Sequence, residues 1–225
     1  MSTVLLLGAS RGIGFELARQ FVAKGWRVLA SARTDEGLAR LRALGCEALS
    51  LDVADPASNS GLAWMLDGEK IQLAVYVAGV MDRSSAPEPP TQMAFDHVMH
   101  TNVLGAMQVM GQILPAVESA QGVVACISSV MGSLEQTNSP SAWLYRVSKA
   151  ALNMVVRCAQ AAHNQATVVA LHPGWVQTDM GGPQAPLSPE ASAQSLSETL
   201  IRLVTQPRPQ DRGAFLNHDG TPIAW

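Results

Sequence analysis

Tyr145 and Lys149 stand four residues apart, the spacing that puts two side chains on one face of a helix. A free phenol titrates at about 10, too high for easy proton exchange at neutral pH. A neighbouring ammonium favours the phenolate and lowers that value, so the pair can serve as a general acid/base. Upstream, Ser128 and Ser129 follow the apolar run 123–127 and offer a hydroxyl to the same space. Successive strand residues point to opposite faces, so only one of the two serines can aim at Tyr145.

A second group lies near residue 1. Val4-Leu5-Leu6-Leu7 is followed by Gly8-Ala9-Ser10-Arg11-Gly12-Ile13-Gly14 and then by an amphipathic run from Phe15. A helix N-terminus offers unpaired N–H groups and a positive dipole end to an anion, which makes a strand, glycine turn and helix a phosphate site. The glycines allow the tight turn, the approach of backbone to pyrophosphate and the packing of helix on strand. Their spacing, G-x-x-x-G-x-G, departs from the commoner G-x-G-x-x-G fingerprint. Pro173-Gly174 breaks the chain after a further apolar strand, at the sheet edge where open α/β folds bind ligands.

The elements that must position these groups alternate between strand and helix along the whole chain. Strands are expected at 4–7, 26–31, 47–51, 71–77, 123–127, 167–171 and 214–217. Helices are expected at 13–24, 35–44, 55–66, 92–114, 142–162 and from Pro189 to about Val204. Asp55-Pro56 supplies an N-cap and an N1 proline, and Gly25 and Gly45 close the first two helices. The pattern predicts an α/β fold of the doubly wound Rossmann type, with a mostly parallel seven-stranded sheet. Residues 1–225 form one domain, with helices on both faces and no linker or repeat.

Composition narrows the partners. With 48% hydrophobic and 15% charged residues the chain reads as globular, and a net charge of -3 gives nucleic acid no electrostatic footprint. No apolar stretch has the length of a membrane span, and a cytoplasmic location is expected. Cys46, Cys126 and Cys158 are far apart and read as small buried hydrophobes. His97 and His100 could share a helix face, but with no third ligand nearby no metal is expected.

The ordered motifs resemble the short-chain dehydrogenase/reductase family. They are the glycine turn 8–14, Leu51-Asp52-Val53, Ala78-Gly79, Asn102, Ile127-Ser128-Ser129, Tyr145-Arg146-Val147-Ser148-Lys149 and His172-Pro173-Gly174-Trp175-Val176-Gln177-Thr178. The resemblance implies that Tyr145 exchanges a proton with the substrate oxygen while Ser129 hydrogen-bonds it. Lys149 would bind the nicotinamide ribose and depress the Tyr145 pKa, and Asn102 would hold a water linking Lys149 to solvent. Asp52, with Val53 beside it, would bond the adenine amine, and Thr178 the carboxamide or pyrophosphate. Gly8, Ser10, Arg11, Gly12, Ile13, Gly14, Ala78, Gly79, Pro173, Gly174 and Val176 complete the implied cofactor wall. At the end of the second strand stands Ala32-Arg33 rather than an acid, and Arg11 adds a guanidinium in the turn. A 2′-phosphate needs positive charge there, so NADP(H) is the expected cofactor.

Two departures stand out. Tyr76-Val77-Ala78-Gly79 replaces the family's Asn-Asn-Ala-Gly, and Leu7 replaces a threonine, which removes polar ties that packing of Leu7 on Val77 would have to replace. The segment at about 179–188 is short, so the substrate pocket should be shallow, with Met81, Met131, Leu134, Trp143, Trp175 and Met180 as candidate walls. With the ending 219–225, these features resemble the branch of C-factor-like and sniffer-type carbonyl reductases. The expected activity is NADPH-dependent reduction of a small-molecule aldehyde or ketone. The alternative is a dinucleotide-binding signalling or regulatory protein with little turnover. The long helices imply a homodimer or homotetramer, and Trp225 needs a packing partner.

Overall fold

The computed structural model describes residues 1–225. Along the chain run β1 (Thr3–Leu7), α1 (Gly12–Ala23), β2 (Arg27–Ala32), α2 (Asp35–Ala43), β3 (Glu47–Ser50), α3 (Pro56–Asn59), α4 (Leu62–Met65) and β4 (Leu73–Tyr76). Then come α5 (Gln92–Met99), α6 (Gly105–Ser119), β5 (Val123–Ile127), α7 (Trp143–Ala162), β6 (Thr167–His172), α8 (Pro189–Thr205) and β7 (Phe215–Asn217). No helix is long and apolar enough to cross a membrane.

The seven strands form one sheet in the order β3-β2-β1-β4-β5-β6-β7, and every ladder is parallel. Such a sheet must be covered on both faces, which is why its inner strands are apolar throughout rather than alternating. Two apolar clusters of 24 residues each lie on its two sides, so neither face is left to solvent. Phe21 and Leu17 of α1, Leu38 and Leu41 of α2 and Leu196 and Leu200 of α8 fill one. Leu62, Val109, Ile113, Leu152 and Val156 from α4, α6 and α7 fill the other. Each such side chain contributes about 1.5–3 kcal/mol.

Two expected helices differ in form. The run 55–66 is split into α3 and α4, because Ser60 turns its hydroxyl back to the Ala57 carbonyl at 2.8 Å and Gly61 has the weakest helix propensity short of proline. The run 92–114 is interrupted by a wide π-turn at His100–Leu104 and continues past Pro115 to Ser119. Fully buried Val117 holds that last turn against the proline's missing donor.

The expected packing of Leu7 on Val77 does not occur. Leu7 is in register with Tyr76 and shares a cluster with it, whereas Val77 faces the opposite layer. Their link is through the backbone, with the Leu7 carbonyl accepting from the N–H groups of Val77 and Ala78 at 2.9 and 3.0 Å. Trp225 finds its partners within the chain, its ring 5.3 Å from that of Phe215 and under the Arg157 guanidinium.

Candidate active site

The strand order reverses between β1 and β4, and a crevice opens beyond their carboxyl ends. The glycine turn leaves β1 there. A side-chain carbon on Gly8 would lie 2.8 Å from the Ala78 nitrogen, and one on Gly14 would lie 2.5 Å from the Gly8 carbonyl oxygen, so both positions exclude any larger residue. The N-termini of α2, α5 and α8 are capped by the hydroxyls of Thr34, Thr91 and Ser188. That of α1 has no side-chain cap and no acid in its first turn. Its free N–H groups therefore face the groove without a partner of their own, the arrangement that takes a phosphate.

The groove has a volume of about 470 Å³, in the range of about 300–1,000 Å³ usual for ligand clefts. Gly8, Ser10, Arg11, Gly12, Ile13, Gly14, Arg33, Asp52, Val53, Ala78, Gly79, Tyr145, Lys149, Pro173 and Thr178 all line it. Four expected residues lie behind that wall. Asn102 and Ser129 are buried beside it. Gly174 makes room for Leu187 with a φ of +84, and the Val176 carbonyl accepts the Thr178 N–H at 2.8 Å.

Both arginines expected at a phosphate meet a carboxylate, pairings that sequence reading missed. The Arg33 guanidinium lies 3.8 Å from the Asp52 carboxylate, and Arg11 is paired across the mouth with Asp179. Both pairs are largely exposed, so neither binds its arginine strongly. Asp52 also accepts the Ala54 N–H at 3.0 Å, so it forms a turn as well as facing the groove.

At the other end, α7 presents Tyr145 and Lys149 as their spacing requires. It starts at Ala142 in the left-handed region, φ 50, a strained entry held by burial of that residue. Ser128 lines the groove, but its hydroxyl proton is committed to Asn153 at 2.6 Å. Ser129 caps the short turn Val130–Gly132 and turns its hydroxyl to Tyr145. The alternation of the strand thus separates the two serines.

The electrostatics correct one expectation. Burial pushes the Tyr145 phenol up to about 12, with the Ser129 hydroxyl pulling the other way. Burial likewise drives Lys149 down to about 8, and its ammonium donates to the Ile127 carbonyl at 2.8 Å rather than to the phenol. In this state the dry pocket, not the ammonium, decides the phenol's proton affinity, and Tyr145 holds its proton at neutral pH. Asn102, within the π-turn, exchanges two bonds of 2.8 Å with the Val80 backbone and donates to Ser148 at 2.9 Å.

Of the candidate pocket walls only Met180 lines the groove; Leu134 and Trp175 are 79% and 56% exposed. Asp179, Thr101 and Val80 line it without having been singled out, since nothing in their local sequence marks them, and Gln177 of the His172–Thr178 motif lines it too. Arg83 ties the loop after β4 to the Met180 carbonyl at 2.6 Å.

Comparison with known proteins agrees with this geometry. C-signal of Myxococcus xanthus is 39% identical over 127 residues, covering 55% of this chain and 74% of that protein. A short-chain dehydrogenase/reductase from Burkholderia multivorans with bound NADP superimposes with a TM-score of 0.89 at 31% identity, covering 100% and 99% of the two chains. A carbonyl reductase from Pseudomonas aeruginosa PAO1 in complex with NADP does so with a TM-score of 0.85 at 31% identity, over 100% of both. The sequence profile of the short chain dehydrogenases matches residues 2–186, spanning the glycine turn, the serines, Tyr145, Lys149 and the segment after β6, and the chain belongs to that family.

Proposed function

We propose that this chain is an NADPH-dependent reductase of aldehydes or ketones. The observation that carries the reading is a buried phenol, held protonated beside Lys149 and Ser129, at one end of a groove whose other end is an uncapped helix N-terminus. Residues 1–225 make one oxidoreductase domain, with the short segment at about 179–188 flanking the substrate.

The residues present fit an NADP-type dinucleotide. Gly8 and Gly14 let the turn close against Ala78 and its own backbone and Gly12 turns it with a φ of +53, while Ser10, Ile13, Ala78, Gly79 and Pro173 line the groove where the pyrophosphate would lie, with Gly174 and Val176 behind them. Arg33 and Arg11 supply positive charge for a 2′-phosphate, Asp52 with Val53 faces the adenine, and Thr178 faces the nicotinamide end. The NADP held by the two solved relatives supports this choice. When bound, the reduced coenzyme supplies the hydride.

This chain's own residues handle the substrate oxygen and its proton. Ser129 donates a hydrogen bond to the carbonyl oxygen, polarising it, and Tyr145 passes its proton to that oxygen as negative charge builds there. A phenol pushed up to about 12 is a neutral donor across the physiological range. Lys149 then stands near the phenolate and stabilises it. Asn102 fixes Ser148, between the two, and so keeps them on one face.

The exposed apolar side chains of Phe95, Leu104, Met107, Val147 and Met154 lie on the α5–α6 stretch and on α7. We infer that they pair copies of the chain as a homodimer or homotetramer, which light scattering of the purified protein resolves.

The test is NADPH oxidation across aldehydes, ketones, diketones and quinones. Tyr145→Phe should abolish turnover with NADPH binding nearly intact; retained turnover refutes the assignment. The likeness to C-signal supports a second reading, a regulatory protein controlled by dinucleotide occupancy. No turnover across the panel alongside tight NADPH binding would favour it.

A further inference from the structure

At the end of β4, Tyr76 is 1% exposed, and its hydroxyl donates to the carbonyl of Thr101 at 2.6 Å. That carbonyl belongs to the π-turn His100–Leu104. In an α-helix it would accept the N–H of Gly105, but here this N–H bonds the carbonyl of His100 instead. The phenol thus supplies a donor where the widened turn has taken one away. Gly105 is shaped to the same contact: a side-chain carbon there would lie 2.7 Å from the Tyr76 oxygen and 2.4 Å from the Val53 carbonyl oxygen. The residue after Thr101 is Asn102, bonded to Val80 and to Ser148, whose hydroxyl reaches the Tyr145 carbonyl at 2.7 Å.

We propose that Tyr76 is a positioning residue, whose hydroxyl holds the His100–Leu104 turn open and thereby fixes Asn102, Ser148 and the helix face that carries Tyr145 and Lys149. It replaces, from within β4, the polar ties absent at Leu7 and Val77. Burial raises the Tyr76 phenol far above its ordinary range, so it acts as a donor alone and not in proton exchange. Were the turn to close to α-helical register, Asn102 would rotate by about 100° and leave both Val80 and Ser148. The inference rests on the reductase reading for its rate effect, but not for its structural effect.

Tyr76→Phe keeps the ring and removes the donor. We expect kcat to fall about tenfold, below the roughly hundredfold that a 1 Å misplacement can cost. The NADPH Kd should stay within about twofold, less than 0.5 kcal/mol of binding. The pH profile of kcat should shift, which a general loss of stability would not produce. Hydrogen exchange of the 100–106 amides should quicken in the cofactor-free protein. The chain has two tyrosines, so the variant leaves Tyr145 as its one phenol, and a ring-carbon label should show its resonance displaced. Gly105→Ala presses on the same hydroxyl from the other side and should move the same readouts. Wild-type exchange, ring resonance and pH profile in the folded variants would overturn the proposal. If the wild type itself reduces no carbonyl, the function fails, and the exchange and resonance still decide the role of Tyr76.

Discussion

Lys149 sets a measurable conflict between stability and chemistry. Burial lowers it from 10.5 to about 8, so below pH 8 the native state carries an ammonium that the dry interior disfavours. In the unfolded chain the same group keeps its ordinary affinity. Between the two values the unfolded chain binds more protons than the native one, and stability therefore rises with pH through that window. From about pH 7 to about pH 9.5 the relief amounts to about 2 kcal/mol, at about 1.4 kcal/mol per pH decade above 8. Tyr145 and the buried Cys46 and Cys126, all pushed up by burial, contribute to the raw pH dependence, so the quantity to measure is a difference. Lys149→Met keeps an unbranched, adaptable stem in the same space without the charge. Urea unfolding of wild type and variant without coenzyme, across that pH range, should show the wild type gaining on the variant by about 2 kcal/mol as pH rises. A constant difference, or one of opposite sign, would refute the account of a desolvated ammonium. With NADPH present the gain should shrink, because ribose hydroxyls accepting hydrogen bonds from Lys149 would favour its charged form.

Two further substitutions separate neighbours that sequence alone cannot rank. Ser129→Ala should lower kcat about 10²- to 10³-fold, the loss typical of an oxyanion donor, at nearly unchanged stability. Ser128→Ala should leave turnover intact while the unpaired Asn153 carbonyl costs about 1–3 kcal/mol, and kinetics beside unfolding would expose the reverse pattern. Arg33→Ala should weaken NADPH about 10- to 100-fold and leave NADH unchanged, as loss of a charge-assisted bond predicts. Equal losses for both coenzymes in fluorescence titration would remove Arg33 from the 2′-phosphate site.

The sequence revealed whatever is repeated or local. Strand positions emerged within a residue or two, because parallel strands covered on both faces are apolar runs between breakers, as in Val4–Leu7 and Val123–Ile127. The glycines and the Tyr145–Lys149 pair were visible for the same reason: turn geometry and helix pitch act over a few residues. What stayed hidden depends on partners distant in sequence. Asp179 facing Arg11, Asn153 taking the Ser128 hydroxyl and Tyr76 reaching Thr101 all join separate elements. The sign of the Tyr145 shift differs from the sequence expectation for a related reason. Spacing announces a nearby ammonium, whereas only the packed structure shows how little water reaches the phenol.

The all-parallel sheet also governs how the molecule is made. No strand can pair with the next through a tight hairpin, and β1 waits for β4, from Val4 to Leu73, before its second ladder closes. Ring closures of that length come before the contacts that reward them, which slows assembly and leaves greasy strands unpaired on the ribosome. Leu5 and Leu6, entirely hidden at the end, spend the interval exposed to aggregation.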